Sequence, residues 1–156
     1  MAKVIEPNTL TLTACSIAES DGADGTVWAS GTTYAADAKV RHNHVRYQSL
    51  SAGNVGKDPS VEKNNSGTSA VWRKLGATGP YMMLDDYMET QTSGTAGTPL
   101  TFVVPFDHAN SFSLLNLSAD SVTVKITDGL GGDGVLFEKT YPLIADISSI
   151  SLYEYN

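Results

Sequence analysis

Thr26-Val27-Trp28-Ala29-Ser30-Gly31-Thr32-Thr33-Tyr34 opens a stretch that continues through Val40, Val45 and Tyr47 to Ser69-Ala70-Val71-Trp72. Both tryptophans of the chain fall here. Their spacing, with Tyr34 and Tyr47 between them, suits short strands joined by turns, and it predicts strands near 38–42, 44–49 and 70–74. Asn43 is the candidate for the tight turn between the first two, because Asn tolerates positive φ. Residues 51–69 are nearly all polar or small, with Gly53, Gly56, Pro59 and Gly67 among them. They read as a long exposed loop, the kind of segment that often carries contacts.

The flanks read the same way. Before the stretch, Thr9-Leu10-Thr11-Leu12-Thr13 alternates strictly, which predicts a half-buried strand with Leu10 and Leu12 inward. Asp21-Gly22-Ala23-Asp24-Gly25 carries two Asp-Gly turn signals and reads as a solvated linker; its spacing does not fit a calcium loop. After the stretch, Thr78-Gly79-Pro80 is a turn and Tyr81-Met82-Met83-Leu84 a short apolar run. Strands are then predicted at 100–104, 111–117, 121–127 and 134–141, with turns between them, and the apolar, aromatic piece Ile147–Tyr155 reads either as tucked into a sheet or as one part of a longer product. No long stretch holds a 3.6-residue apolar period, and neither heptads nor a fixed repeat occurs. The predicted fold class is therefore all-β, with a small three-stranded Trp/Tyr module at 26–76 beside an antiparallel β-sandwich of jelly-roll type at 77–156. Residues 1–25 supply an N-terminal strand and linker that join the sandwich.

Composition sets the outer bounds. At 156 residues and 41% hydrophobic content the chain can bury a core of ordinary size. Its formal charge is −7, and the densest basic patch is Lys39, Arg41 and Arg46, so no basic stripe exists to draw a nucleic-acid backbone. Cys15 is the single cysteine and cannot form an internal disulfide. Met1–Pro7 holds no apolar run of signal-peptide length, and nothing approaches the ~20 apolar residues of a membrane span. Synthesis in the cytoplasm without membrane insertion is the expectation.

Trp28-Ala29-Ser30-Gly31-Thr32-Thr33-Tyr34-Ala35, then Val40, His42, Asn43 and Tyr47-Gln48-Ser49-Leu50, then Asn54, Pro59 and Trp72, resembles the pattern of small chitin-binding-type carbohydrate modules. The chain as a whole resembles tailed-bacteriophage virion proteins, of tail or baseplate type, that carry such a module near the N-terminus. The phrases are Val4-Ile5-x-Pro7 before the module, Gly79-Pro80-Tyr81-Met82-Met83-Leu84-Asp85-Asp86 after it, and Ser113-Leu114-Leu115-Asn116-Leu117 in the following β-structure. Asp37-Ala38 stands where the pattern has Gly-Asp, and His44 where it has a turn glycine, which implies an altered hairpin. The resemblance implies a structural component of a phage tail or adhesion apparatus, located in the virion. It would act by protein–protein assembly with other virion proteins and with copies of itself. Its alternative is a module that attaches the particle to a host-surface glycan.

The candidate contacts for a glycan or partner are Trp28, Tyr34, Tyr47 and Trp72. A sugar site needs flat exposed rings, and a core needs the same rings inside. Trp28 and Tyr34 read as core; Tyr47 and Trp72 stay open between the two readings, so any binding role rests on them and on the 51–69 loop. Other chemistry is thin. His42 and His44 would share one strand face, yet no third ligand has zinc-site spacing. Asp85-Asp86 points to opposite faces of an extended chain and reads as a turn or cap. Gly129-Leu130-Gly131-Gly132-Asp133-Gly134 fits a dinucleotide fingerprint literally, but the Val135-Leu136-Phe137 that follows is a strand, not a helix. No nucleophile–base arrangement, metal site or cofactor site is predicted, and no enzyme.

Overall fold

The structure, a computed structural model, describes residues 12–85, 87, 89–105, 113–115, 117–129, 134–143 and 149–151. Val4-Ile5-Pro7, Leu10, Asp86, His108 and the middle of the 129–134 loop lie outside the described residues. The fold is all-β, and the chain divides into two compact units, residues 1–104 and 105–156. The elements of the first unit are β1 (Ala14–Cys15), α1 (Asp21–Asp24), β2 (Thr26–Val27), β3 (Lys39–His42), β4 (Val45–Ser49), α2 (Glu62–Asn65), β5 (Trp72–Ala77), a 3-10 turn (Gly79–Leu84) and β6 (Phe102–Val103).

The centre of this unit is a sheet in the order β2-β3-β4-β5. It has four strands where the sequence predicts three. The additional one, β2, lies parallel to β3 with Thr26 opposite Val40 and Val27 opposite Arg41. A two-residue strand is too short to show an alternation, so its pairing is invisible to a period argument. The β3–β4 hairpin turns on Asn43 and His44, whose φ values are 50° and 62°. Positive φ at both positions is the requirement of the two-residue turn that matches strand twist. Asn supplies the first at little cost, and His44 adopts the second despite the missing glycine. A bulge on β5 between the partners of Arg46 and Tyr47 bends the outer strand.

The core is Tyr34, Val40, Tyr47 and Trp72, with Trp28, Ala38, Val45 and Val71 packed around it. Residues 51–69 are mostly exposed, as expected of this loop, but Asn54 and Pro59 within them are buried and fasten the segment against the core. Asn54 forms a bridge with Tyr34, donating to and accepting from its backbone at 3.2 and 2.8 Å. The Asn54 amide also donates to Ser49 Oγ and the Val71 carbonyl, and Pro59 is fully buried. Asn64 and Asn65 on α2 donate to the Asp58 and Pro59 carbonyls. A polar segment can lie against a core when its own side chains satisfy its backbone groups.

The unit continues past residue 76, the expected end of the module, because hydrogen bonds carry it on. The Asp21–Gly25 stretch is no solvated linker. Ser20 caps α1, and Asp24 is buried, with Oδ1 accepting from Gly79 N at 2.8 Å and Oδ2 from Ser20 N at 3.0 Å. The apolar run at 81–84 is helical in the 3-10 manner, started by Pro80, rather than extended. β1 pairs antiparallel with β6, so the N-terminal strand does meet the first strand after the joint, but inside the first unit.

In the second unit β7 (Ser113–Leu115) pairs with β10 (Ser149–Ser151), and β8 (Ser121–Thr127) with β9 (Val135–Pro142), both antiparallel. Thr123 and Thr140 face each other across the second ladder with hydroxyls 2.7 Å apart, and Lys139 lies over the Tyr141 ring. The glycines of the 129–134 loop therefore join two strands of one hairpin. No helix among the described residues is long and apolar enough to cross a membrane.

Candidate functional site

The four aromatic candidates come together, but three of them as core. Trp72 is 0% exposed, Tyr47 4% and Tyr34 7%. The Trp72 indole donates to the Lys57 carbonyl at 2.7 Å and meets Tyr34 edge-on with centroids 5.3 Å apart. The Tyr34 hydroxyl accepts from Ala29 N at 2.7 Å. Burial pushes the Tyr47 phenol above its ordinary pKa, and the Asp58 carboxylate adds to the shift. Tyr47 and Trp72, the two rings on which a sugar-binding role rests, thus offer no face for stacking. The reason is geometric: both sit on strands whose inward side is shared with Val40, and the 51–69 segment covers what the sheet leaves open. Trp28 is half-buried, set edge-on against His42 at 5.0 Å, and its indole Nε1 has no hydrogen-bond partner.

The polar centre of the unit lies elsewhere, at Glu19, which nothing in the sequence marks. Its carboxylate accepts from Thr78 Oγ1 at 2.6 Å and His44 Nδ1 at 2.9 Å, and Arg41 Nε stands 3.5 Å away. Arg41 also pairs with Asp21 at 2.6 Å and donates to the Gly25 carbonyl. His44 stacks on Tyr81, centroids 3.9 Å apart and planes at 17°. Burial raises the Tyr81 pKa, and the nearby Glu19 and Cys15 raise it further. Two shallow depressions of about 260 and 270 Å³ flank the Glu19–His44 pair, one towards Cys15 and Tyr81, the other towards Val27 and Arg41. Through these contacts Glu19 ties residues 19, 41, 44 and 78 together, with both hydrogen bonds on Oε1 and the ion pair on Oε2.

The two histidines do not share a face. His42 ends a strand and points to Asp58, 3.5 Å from Nε2, whereas His44 sits in the turn at positive φ and points to Glu19. The αL conformation breaks the strand alternation on which the same-face expectation depends. Among the described residues no group of three His, Cys, Asp or Glu side chains is placed to hold a metal ion. Asp85 closes the 3-10 turn and accepts from Tyr87 N and Thr90 Oγ1, a cap role as expected.

A sequence signal exists in part for Asp24: Ser20 followed by acidic residues is a helix-start pattern. The long-range partners of Glu19 and Asp24, Thr78 and Gly79, lie more than fifty residues on and leave no trace in local spacing. No protein-family model, curated protein or solved structure matches the chain.

Proposed function

We propose that this chain is a structural component of a phage tail or adhesion apparatus, acting by assembly with copies of itself and with other virion proteins. The order of motifs from Trp28 to Leu117 supports the virion context. One structural observation supports assembly: the β8–β9 ladder. Among the described residues these two strands pair only with each other, and Ile126, Val135 and Leu136 along them stay exposed, Leu136 to 68%. A two-stranded ladder is at best marginally stable alone, and open edges with apolar side chains favour added strands or an apposed surface. A β-sandwich completed in the assembled particle fits this reading.

The glycan-attachment reading draws on the same module but loses Tyr34, Tyr47 and Trp72 to the core, which leaves it Trp28. Light scattering on the purified full chain, with electron microscopy of particles that contain it, tests the proposal. Oligomers in solution and a repeated position in the particle are expected. A chain that is monomeric at all concentrations, absent from particles and bound by chitin oligosaccharides with a change in Trp28 fluorescence would reverse the order of the two readings.

A further inference from the structure

The outer face of the β2–β5 sheet breaks a rule of cross-strand pairing. In the register, Arg41 stands directly opposite Arg46, and in the next row Lys39, Gln48 and Arg73 lie side by side across β3, β4 and β5. Like charges directly opposite one another on a sheet are destabilising. Glu19 and Asp21 answer Arg41. Nothing comparable answers the others. Among the described residues none of Lys39, Arg46 and Arg73 has a carboxylate within 4.0 Å; Arg46 Nε donates to the Ala77 carbonyl and Arg73 to the neutral Gln48 amide oxygen. Asp37 also reaches this face, where it accepts from the Gln48 amide at 2.6 Å.

The chain spends scarce charge on this face. It has 10 basic residues against 17 acidic ones, and four of the ten line two adjacent rows. Charge is also divided unevenly between the two units. Residues 105–156 hold seven Asp/Glu and two Lys, a formal −5, while residues 1–104 hold ten acidic and eight basic residues, a formal −2; together they give the −7 of the chain. Asp120 and Glu138 are exposed members of the acidic set, Glu138 with Lys125 facing it at 4.0 Å across the ladder. Within the sheet only the Arg41 side of the Arg41–Arg46 pair is compensated, and the charges of Lys39, Arg46 and Arg73 that no carboxylate answers point to compensation from outside.

We propose that the Lys39/Arg46/Arg73 face is the docking surface for the acidic unit of a second copy of this chain. The contact is heterologous: the basic sheet face of one copy meets the acidic unit of the next, an arrangement that closes into a ring or extends as a file of subunits. It rests on the assembly reading and specifies its chemistry. Complementary charge across such a contact steers encounter and sets register, and salt weakens it as the screening length falls from about 10 Å at 0.1 M to about 3 Å at 1 M.

The test is sedimentation of the full chain at low and high salt, with folding checked by circular dichroism. Wild type associates at low salt and dissociates at least tenfold more readily at high salt. Arg46→Glu with Arg73→Glu is folded but loses association at least tenfold, and so is Asp120→Lys with Glu138→Lys. Mixing the two variants restores association, because each then carries the charge the other has lost. Oligomers that persist at high salt and ignore both pairs of reversals overturn this contact while leaving the assembly reading in place. A monomer under every condition overturns both. Loss of binding to a polyanion such as heparin in the Arg46/Arg73 variant, with self-association unchanged, assigns the face to another ligand and overturns the proposal.

Discussion

Replacing Trp72 by Phe separates a core ring from a ligand ring, because the two roles predict opposite readouts. Trp72 is 0% exposed, its indole N–H donates to the Lys57 carbonyl at 2.7 Å, and its ring meets Tyr34 at 5.3 Å. Phe falls short of the outer edge of the indole and has no N–H to donate. A void on the order of 40 Å³ at about 24 cal/mol per Å³ costs about 1 kcal/mol. The lost hydrogen bond adds about 1 kcal/mol, at the low end for a buried pair because Lys57 lies at the surface and water can reach its carbonyl. The first unit spans residues 1–104, and for a domain of that size a total of about 2 kcal/mol lowers Tm by roughly 8–16 °C. Urea and thermal unfolding, followed by the fluorescence of the remaining Trp28, measure the loss. Alanine at the same position costs about 3–5 kcal/mol. A Trp72→Phe chain as stable as wild type, within about 0.5 kcal/mol, would refute the assignment of this ring to the core.

Three further outcomes follow from single contacts. Gly25 has φ 84°, and a Cβ there would stand 2.7 Å from the Lys39 carbonyl carbon and oxygen, so Gly25→Ala should cost about 3 kcal/mol or more by urea unfolding; a neutral substitution would mean that β3 can move aside. Asp24→Ala strips the acceptor from Ser20 N and Gly79 N, which predicts a loss of about 3 kcal/mol and faster hydrogen exchange at the Gly79 amide, whereas unchanged exchange there would discount the tie. Asp58 is held below its ordinary pKa chiefly by the Ser60 hydroxyl, which outweighs the opposing effect of burial, and the Ser60 amide and His42 add smaller downward shifts. Because the folded pKa is the lower one, its contribution is present above the unfolded value of 3.8 and fades as pH falls through the folded value. Ser60→Ala should therefore raise the Asp58 pKa in an NMR titration and flatten the acid limb of the stability curve; an unmoved titration would exclude the hydroxyl as the cause.

The all-β class and the β3–β4 hairpin were legible in the chain. Alternation over 38–49 and the turn preference of Asn43 are local properties, set by sterics within a few residues. β8 and β9 were legible for the same reason: Ser121–Thr127 alternates cleanly along its whole length. The site was much less so. An indole suited to stacking and one suited to packing are the same side chain, and only the fold of residues 51–69 over the sheet decides that Trp72 and Tyr47 are inside. The His42/His44 pair failed for a related reason, since the two left-handed residues Asn43 and His44 cancel the strand period.

What the sequence by itself determined is therefore the local grammar: which segments extend, where the chain turns, and that a cluster of rings would meet near Trp28–Trp72. Tertiary structure alone decided which rings are buried, that Glu19 and Asp24 bind partners more than fifty residues away, and that four basic residues scattered over 39–73 line one face of one sheet. Burial and register are relations between distant segments. They are fixed by the lowest free energy of the whole unit, and no window of the sequence contains them.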